Sequence, residues 1–83
     1  MPKLKVMGGK DVVKIFSTLG FEITSQKGSH IKMKRIMHDG SFQTWIFPLH
    51  NELDKGTLKA IINQASKYIP KQTLKEYFYT EWN

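Results

Sequence analysis

The chain has 83 residues and a mass of 9.7 kDa, the size of one domain, which excludes a multidomain enzyme, a complete dinucleotide-binding fold and a (β/α)₈ barrel. It contains no cysteine, so disulfide scaffolds, thiolate metal sites and thiol nucleophiles are excluded, and a reducing cytoplasm is the expected compartment. Thirteen Lys and Arg against seven Asp and Glu give a net charge of +6, and all of that excess lies in residues 1–37, since 38–83 hold five of each sign.

A one-sided basic surface suits a polyanion such as nucleic acid, although a solubilising charge excess has the same arithmetic. No apolar run approaches the roughly 18–20 residues of a membrane span. The start, MPKLKVMGGK, lacks the apolar core of a secretory leader.

Residues 1–7 read as a short arm. Val12, Ile15, Phe16 and Leu19 then fall at i, i+3, i+4 and i+7, one apolar face of a helix over about 9–19. Gly20 follows as the expected residue just past the helix end. Phe21 and Ile23 alternate with Glu22 and Thr24, which predicts a half-buried strand over 21–26. Lys27-Gly28-Ser29 is a turn. A second strand, His30–Met37, has Ile31, Met33 and Met37 on one face and His30, Lys32 and Lys34 on the other.

Asp39-Gly40 marks a hairpin turn. The third strand, Phe42–Phe47, has large apolar residues at both parities; Trp45 and Phe47 are expected inward. Pro48 ends it. Asp54 is the expected N-cap of a second helix over about 55–66, carrying Leu58, Ile61, Ile62 and Ala65 on one face. After Pro70, Leu74, Tyr77 and Phe78 predict a short helix over 71–79. The order is α-β-β-β-α plus a C-terminal helix. Such a meander buries one face under two helices and leaves the other wet, with His30, Lys32 and Lys34 on the wet side.

His30 is the first candidate for chemistry. Neighbouring positive charge disfavours imidazolium, and a neutral imidazole at pH 7 acts as a general base. Basic neighbours hold a phosphate and stabilise charge developing on it. RNA carries its own nucleophile, the 2′-hydroxyl, so a histidine that takes its proton can cleave RNA without a metal and leave a 2′,3′-cyclic phosphate. The competing reading is a solvated turn histidine.

His50 either assists near the sheet edge or bonds to backbone in its loop, the latter being favoured. His38 sits beside the Asp39-Gly40 turn and reads as solvated. The histidines are 8 and 12 residues apart with no cysteine, which is not a metal-ligand spacing, and no cofactor is expected. Ser29 is adjacent to His30 but points to the opposite face, so it is a turn residue rather than a nucleophile. Gly8-Gly9-Lys10 lacks the spacing of a phosphate loop and reads as a helix start. Lys55, Thr57 and Lys59, at the start of the second helix, form a possible backbone-phosphate contact. The Tyr77-Phe78-Tyr79 and Trp82 cluster either stacks bases or packs on the core or a partner.

Taken together, Gly20-Phe21, Gln26-Lys27-Gly28-Ser29-His30, Pro48-Leu49-His50 and Lys55-Gly56-Thr57-Leu58, in this order, resemble the HicA (YcfA-like) toxins of type II toxin–antitoxin modules. The likeness runs over about 8–65 of a single domain spanning 1–83, with 66–83 as an aromatic-rich extension. The resemblance implies an α+β, double-stranded-RNA-binding-domain-like fold: a three-stranded antiparallel sheet on two helices. It implies a metal-independent mRNA interferase, an endoribonuclease whose action arrests growth, with the catalytic histidine falling on His30. It also implies a HicB antitoxin that covers the active face. Ile31 stands where many members carry a polar residue.

The leading reading is a histidine-dependent endoribonuclease. His30 is the base, Lys27, Gly28, Ser29, Lys32, Lys34, Lys55, Thr57 and Lys59 contact RNA, and His50 is a possible auxiliary. A non-catalytic RNA-binding module using the same basic face is the alternative. A protein-interaction domain built on the C-terminal aromatics is the third reading.

Overall fold

The structure is a computed structural model that describes residues 3–80. The elements run α1 (Gly9–Thr18), β1 (Glu22–Lys27), β2 (His30–Ile36), β3 (Phe42–Pro48), α2 (Lys55–Ala65) and α3 (Lys71–Phe78). This is the predicted α+β order, and the strands form one antiparallel sheet in the order β1-β2-β3. No helix among the described residues is long and apolar enough to cross a membrane. The chain divides into two compact units, Met7–Glu52 and the described residues of Met1–Val6 with Leu53–Asn83.

In the first unit, α1 lies against the sheet through aromatic contacts. The Phe16 ring centroid is 5.5 Å from that of Trp45 and 6.3 Å from that of Phe47. Both strand residues are buried, so the inward assignment of Trp45 and Phe47 holds. Met33 and Ile31 fill the same face from β2, and Val12 and Phe16 supply the helix side.

The end of α1 shows how sequence becomes packing. Gly20 takes a left-handed φ of +95°, which a Cβ would resist. The Gly20 N–H then donates to the Ser17 carbonyl and the Phe21 N–H to the Phe16 carbonyl, the Schellman pattern. The same turn brings the Phe21 ring edge-on to Phe16 at 5.3 Å. Phe21 is therefore buried by the helix cap, not by strand alternation.

That corrects the reading of the first strand. The strand starts at Glu22, and every residue of β1 is exposed, Ile23 included. The reason is topological. β1 is an edge strand, whereas α1 makes its ring contacts with Trp45 and Phe47 of β3, at the other side of the sheet. A bulge between Ile23 and Ser25 also breaks the simple alternation assumed from sequence.

Gly8 and Gly9 begin α1 as expected, for a steric reason. A Cβ on Gly9 would lie 2.5 Å from the Pro48 carbonyl oxygen, and one on Gly8 would collide with the Asn51 backbone. The Gly9 N–H donates to the His50 carbonyl at 2.9 Å, so this amide is engaged with protein. Asp11 accepts from the Gly8 N–H at 2.9 Å and closes the helix start.

Arg35 is the basic residue that turns inward. Its guanidinium donates to the Leu19 carbonyl at 3.1 Å and to Gln43 Oε1 at 2.8 Å, and stands 4.9 Å from the Phe21 ring centroid. It ties the C-terminus of α1 to β2 and β3, where a cation also complements the helix dipole. Replacing Arg35 with Met leaves the buried Gln43 without this donor. The expected loss is about 2 kcal/mol, read as a fall in Tm of about 8–16 °C in a chain of this size. An unchanged melting curve would show the clamp to be dispensable.

The Asp39-Gly40 hairpin forms as predicted, the Met37 N–H donating to Ser41 at 2.7 Å. The Asp39 carboxyl is held below its usual 3.8 by the Ser41 hydroxyl and then the Ser41 N–H, both donating to it. Because the folded-state pKa is lowered, this support is present above about pH 4 and fades as pH falls through the folded value.

In the second unit, Asp54 caps α2, accepting from the Thr57 N–H at 2.7 Å. Leu58, Ile61 and Ala65 are buried on one face of α2, and Leu74 and Phe78 on one face of α3. Residues 3–5 are not a free arm. Leu4 bridges Tyr79, the Lys5 N–H donates to the Phe78 carbonyl at 2.8 Å, and the Thr80 N–H donates to Lys3 at 2.7 Å. The C-terminal extension thus contributes buried side chains and backbone pairing. Trp82 lies outside the described residues.

Candidate functional site

The outer face of the sheet is set by the register. His30 stands opposite Lys27 on β1 and Pro48 on β3; Lys32 opposite Ser25 and Ile46; Lys34 opposite Glu22 and Thr44; Ile36 opposite Phe42. Directly paired residues share a face, so these side chains form four successive rows on one surface. Ile31 and Met33 project to the other side and are buried. Ile31 is therefore a core position.

His30 opens β2 directly after a two-residue turn. Gly28 has a φ of +60° and Ser29 has no positive φ, the pattern of a type II′ hairpin turn. The Ser29 carbonyl accepts from the Leu49 N–H at 2.6 Å, which extends the β2–β3 ladder past Pro48. The His30 imidazole is exposed and has no hydrogen-bond partner among the described residues. Its backbone is held by strands on both sides while its ring is open to solvent.

Lys27, Lys32 and Lys34 share the face with His30, Lys27 and Lys32 exposed and Lys34 half-buried. The Lys34 ammonium lies 4.2 Å from the Phe42 ring centroid. Gly28 and Ser29 are exposed in the turn itself.

His50 is exposed two residues past Pro48, at the same end of the β2–β3 ladder as His30. Its carbonyl, rather than its imidazole, bonds within the loop, to Gly9. The ring therefore stays available. His38 is exposed. Among the described residues no group of three or more His, Asp or Glu is positioned to hold a metal ion.

Lys55, Thr57 and Lys59 belong to the second unit, at the start of α2. There the Asp54 carboxylate already occupies the Thr57 N–H. The capping group that starts the helix thus takes one of the amides that a phosphate at this helix start would use. Lys55 and Lys59 are exposed and Thr57 is half-buried.

Two features escaped the sequence reading. Arg35, counted among the basic residues, is spent on the α1 clamp. Phe42 and Ile46 project outward beside the lysines. The signal for the second was present, in the apolar residues at both parities of the third strand.

No curated protein and no solved structure matches the chain. Residues 9–67, well over half of the chain, match the family model described as HicA toxin of bacterial toxin–antitoxin, a span that holds the whole sheet, α1 and α2. The chain belongs to the HicA toxin family, as the toxin of a toxin–antitoxin pair with a cognate antitoxin for its partner.

Proposed function

We propose that this toxin is a metal-independent endoribonuclease that cleaves mRNA in the cytoplasm, with His30 as general base. The observation that carries the reading is the open imidazole of His30 at the head of β2, on a face shared with Lys27, Lys32 and Lys34. His30 takes the proton of the ribose 2′-hydroxyl. The 2′-oxygen attacks the adjacent phosphorus, the bond to the 5′-oxygen breaks, and the products are a 2′,3′-cyclic phosphate and a 5′-hydroxyl end. The leaving oxygen takes its proton from water or from His50; loss of rate in His50→Ala identifies the second source.

Lys27, paired with His30, stabilises the charge that builds on the oxygens of the scissile phosphate, and Lys32 in the next row holds the neighbouring phosphate. Gly28 and Ser29 shape the turn and leave backbone space for the strand. Lys55, Thr57 and Lys59 make a separate backbone contact, through side chains rather than the Thr57 amide. The family's HicB antitoxin inhibits by covering the His30 face.

The test is cleavage of RNA by purified protein in excess EDTA. Cutting with 2′,3′-cyclic phosphate ends supports the proposal. RNA binding without cutting would instead leave a non-catalytic RNA-binding module. Phosphate contacts are read separately, from salt. For single strands log K falls with log salt by about 0.7 per phosphate contact. Lys32→Ala and Lys34→Ala together should flatten that slope by about 1.4. Arg35→Met, whose charge is engaged inside the fold, should leave it unchanged. Equal slopes for wild type and the double-lysine variant would remove both residues from the RNA interface.

A further inference from the structure

The outer sheet face carries an apolar pad that phosphate binding does not explain. Ile36 is 70% exposed, Phe42 61% and Ile46 66%. Ile36 and Phe42 are directly paired, and Ile46 pairs with Lys32. Single exposed apolar side chains are ordinary, whereas three on one face of a small sheet mark a binding surface.

We propose that Phe42 is a stacking platform for an unpaired RNA base, and that the RNA strand runs along β2 from this pad to His30. The inference rests on the RNA-cleaving reading above and adds to it a base-stacking subsite and a path for the strand. A nucleotide offers a π-face and an anionic phosphate together. Phe42 and Lys34, with the ammonium 4.2 Å from the ring centroid, offer the complementary pair. In the free protein the ammonium lies over the aromatic ring. A base that stacks on that ring displaces the ammonium sideways, toward the adjoining phosphate.

The spacing along β2 suits a strand of nucleotides. Lys32 and Lys34 share a face two residues apart, about 6.7 Å in an extended strand. From Ile36 to His30 the same face runs about 20 Å. One phosphate at each lysine puts the stacked base about three nucleotides from the bond at His30. Beside this path a hollow is lined by Gly20, Glu22, Thr24, Lys34 and Ile36. The Glu22 carboxylate there opposes a phosphate but accepts from a base amino group or a ribose hydroxyl. A duplex keeps its bases stacked on one another and cannot lay one on an exposed ring. An acidic apolar protein is the other class of occupant. The cation held against an aromatic face, at the end of a lysine row leading to His30, favours RNA.

The test uses the full chain carrying His30→Ala, so that RNA stays intact. Binding of a short labelled single-stranded RNA and of an RNA duplex is measured with Phe42 present, Phe42→Ala and Phe42→Trp. Phe42→Ala should weaken single-strand binding about 5- to 150-fold, the effect of one stacked base, and leave duplex binding unchanged. Phe42→Trp should restore affinity, with its added fluorescence quenched by the RNA. An abasic nucleotide should cost affinity most about three nucleotides from the cleaved bond. Equal affinity of Phe42→Ala, or an unquenched Trp, overturns the platform. Loss of affinity for the cognate antitoxin alone overturns it too and makes the pad a protein surface. Phe42 is solvent-exposed, and an unchanged circular dichroism melt keeps each variant interpretable. Cleavage is scored independently: a wild type that binds through Phe42 but never cuts keeps the platform and loses the ribonuclease. One that cuts while Phe42→Ala binds normally does the reverse.

Discussion

Replacing His30 with Ala should lower the rate of RNA cleavage about 10²–10⁴-fold, the usual contribution of one positioned general base. RNA affinity should stay close to that of the wild type, because the lysines and the turn are untouched. Stability should change by less than about 0.5 kcal/mol, since the ring is exposed and makes no hydrogen bond among the described residues. Those three readouts separate a chemical role from a structural one. The rate is measured in single turnover, so that product release does not mask the chemical step. Lys32→Ala should instead act on affinity and, more weakly, on rate. If His30→Ala cleaves as fast as the wild type, the base is elsewhere and the assignment fails. If it melts several degrees lower, the loss of rate says nothing about proton transfer.

Phe16→Ala is expected to be the most damaging core change. Phe16 is fully buried and its ring meets those of Phe21, Trp45 and Phe47. Truncation loses the transfer free energy of the ring and leaves a cavity, about 3–5 kcal/mol together. A domain of this kind has only about 5–15 kcal/mol in total. The variant should therefore be partly unfolded near body temperature, and any RNA cleavage should fall with the folded fraction. Urea titration followed by near-ultraviolet circular dichroism reads the effect through the tryptophan signal. Phe16→Leu, which keeps most of the volume, should recover much of the loss. A cost below about 1 kcal/mol for Phe16→Ala would mean that the aromatic cluster is not what holds α1 to the sheet.

The two changes act on opposite faces of one sheet, and this is how the fold serves the site. Aromatic packing on the inner face fixes the strands in register. Register then fixes which side chains share the outer face. His30 owes its surroundings to pairing with Lys27 and Pro48 across two ladders.

The sequence by itself determined the order of the elements, because each carries a local signal strong enough to decide its own conformation. Helical spacing of apolar residues marked α1, α2 and α3. Gly20 ended the first helix, Gly28 and Asp39-Gly40 closed the hairpins, and Asp54 started the second helix. Alternation along β2 was enough to put His30, Lys32 and Lys34 on one side. The tertiary structure alone decided what depends on neighbours distant in the chain. Ile23 has the pattern of a half-buried strand but lies on an edge, away from the β3 side chains that meet α1. Residues 3–5 have no strand pattern, yet they pair with the segment after α3. Gly8 and Gly9 read as a helix start, and only the passing backbone of 48–51 shows why both are glycine: a Cβ at either would collide with it. Arg35 and Phe42 exchange the sides that polarity suggests, because a guanidinium can be satisfied inside by the carbonyl of a helix end, while an aromatic ring outside finds a lysine. A local pattern encodes conformation through steric and hydrogen-bond preferences of adjacent residues; burial and partnership belong to the assembled surface, and no single segment contains them.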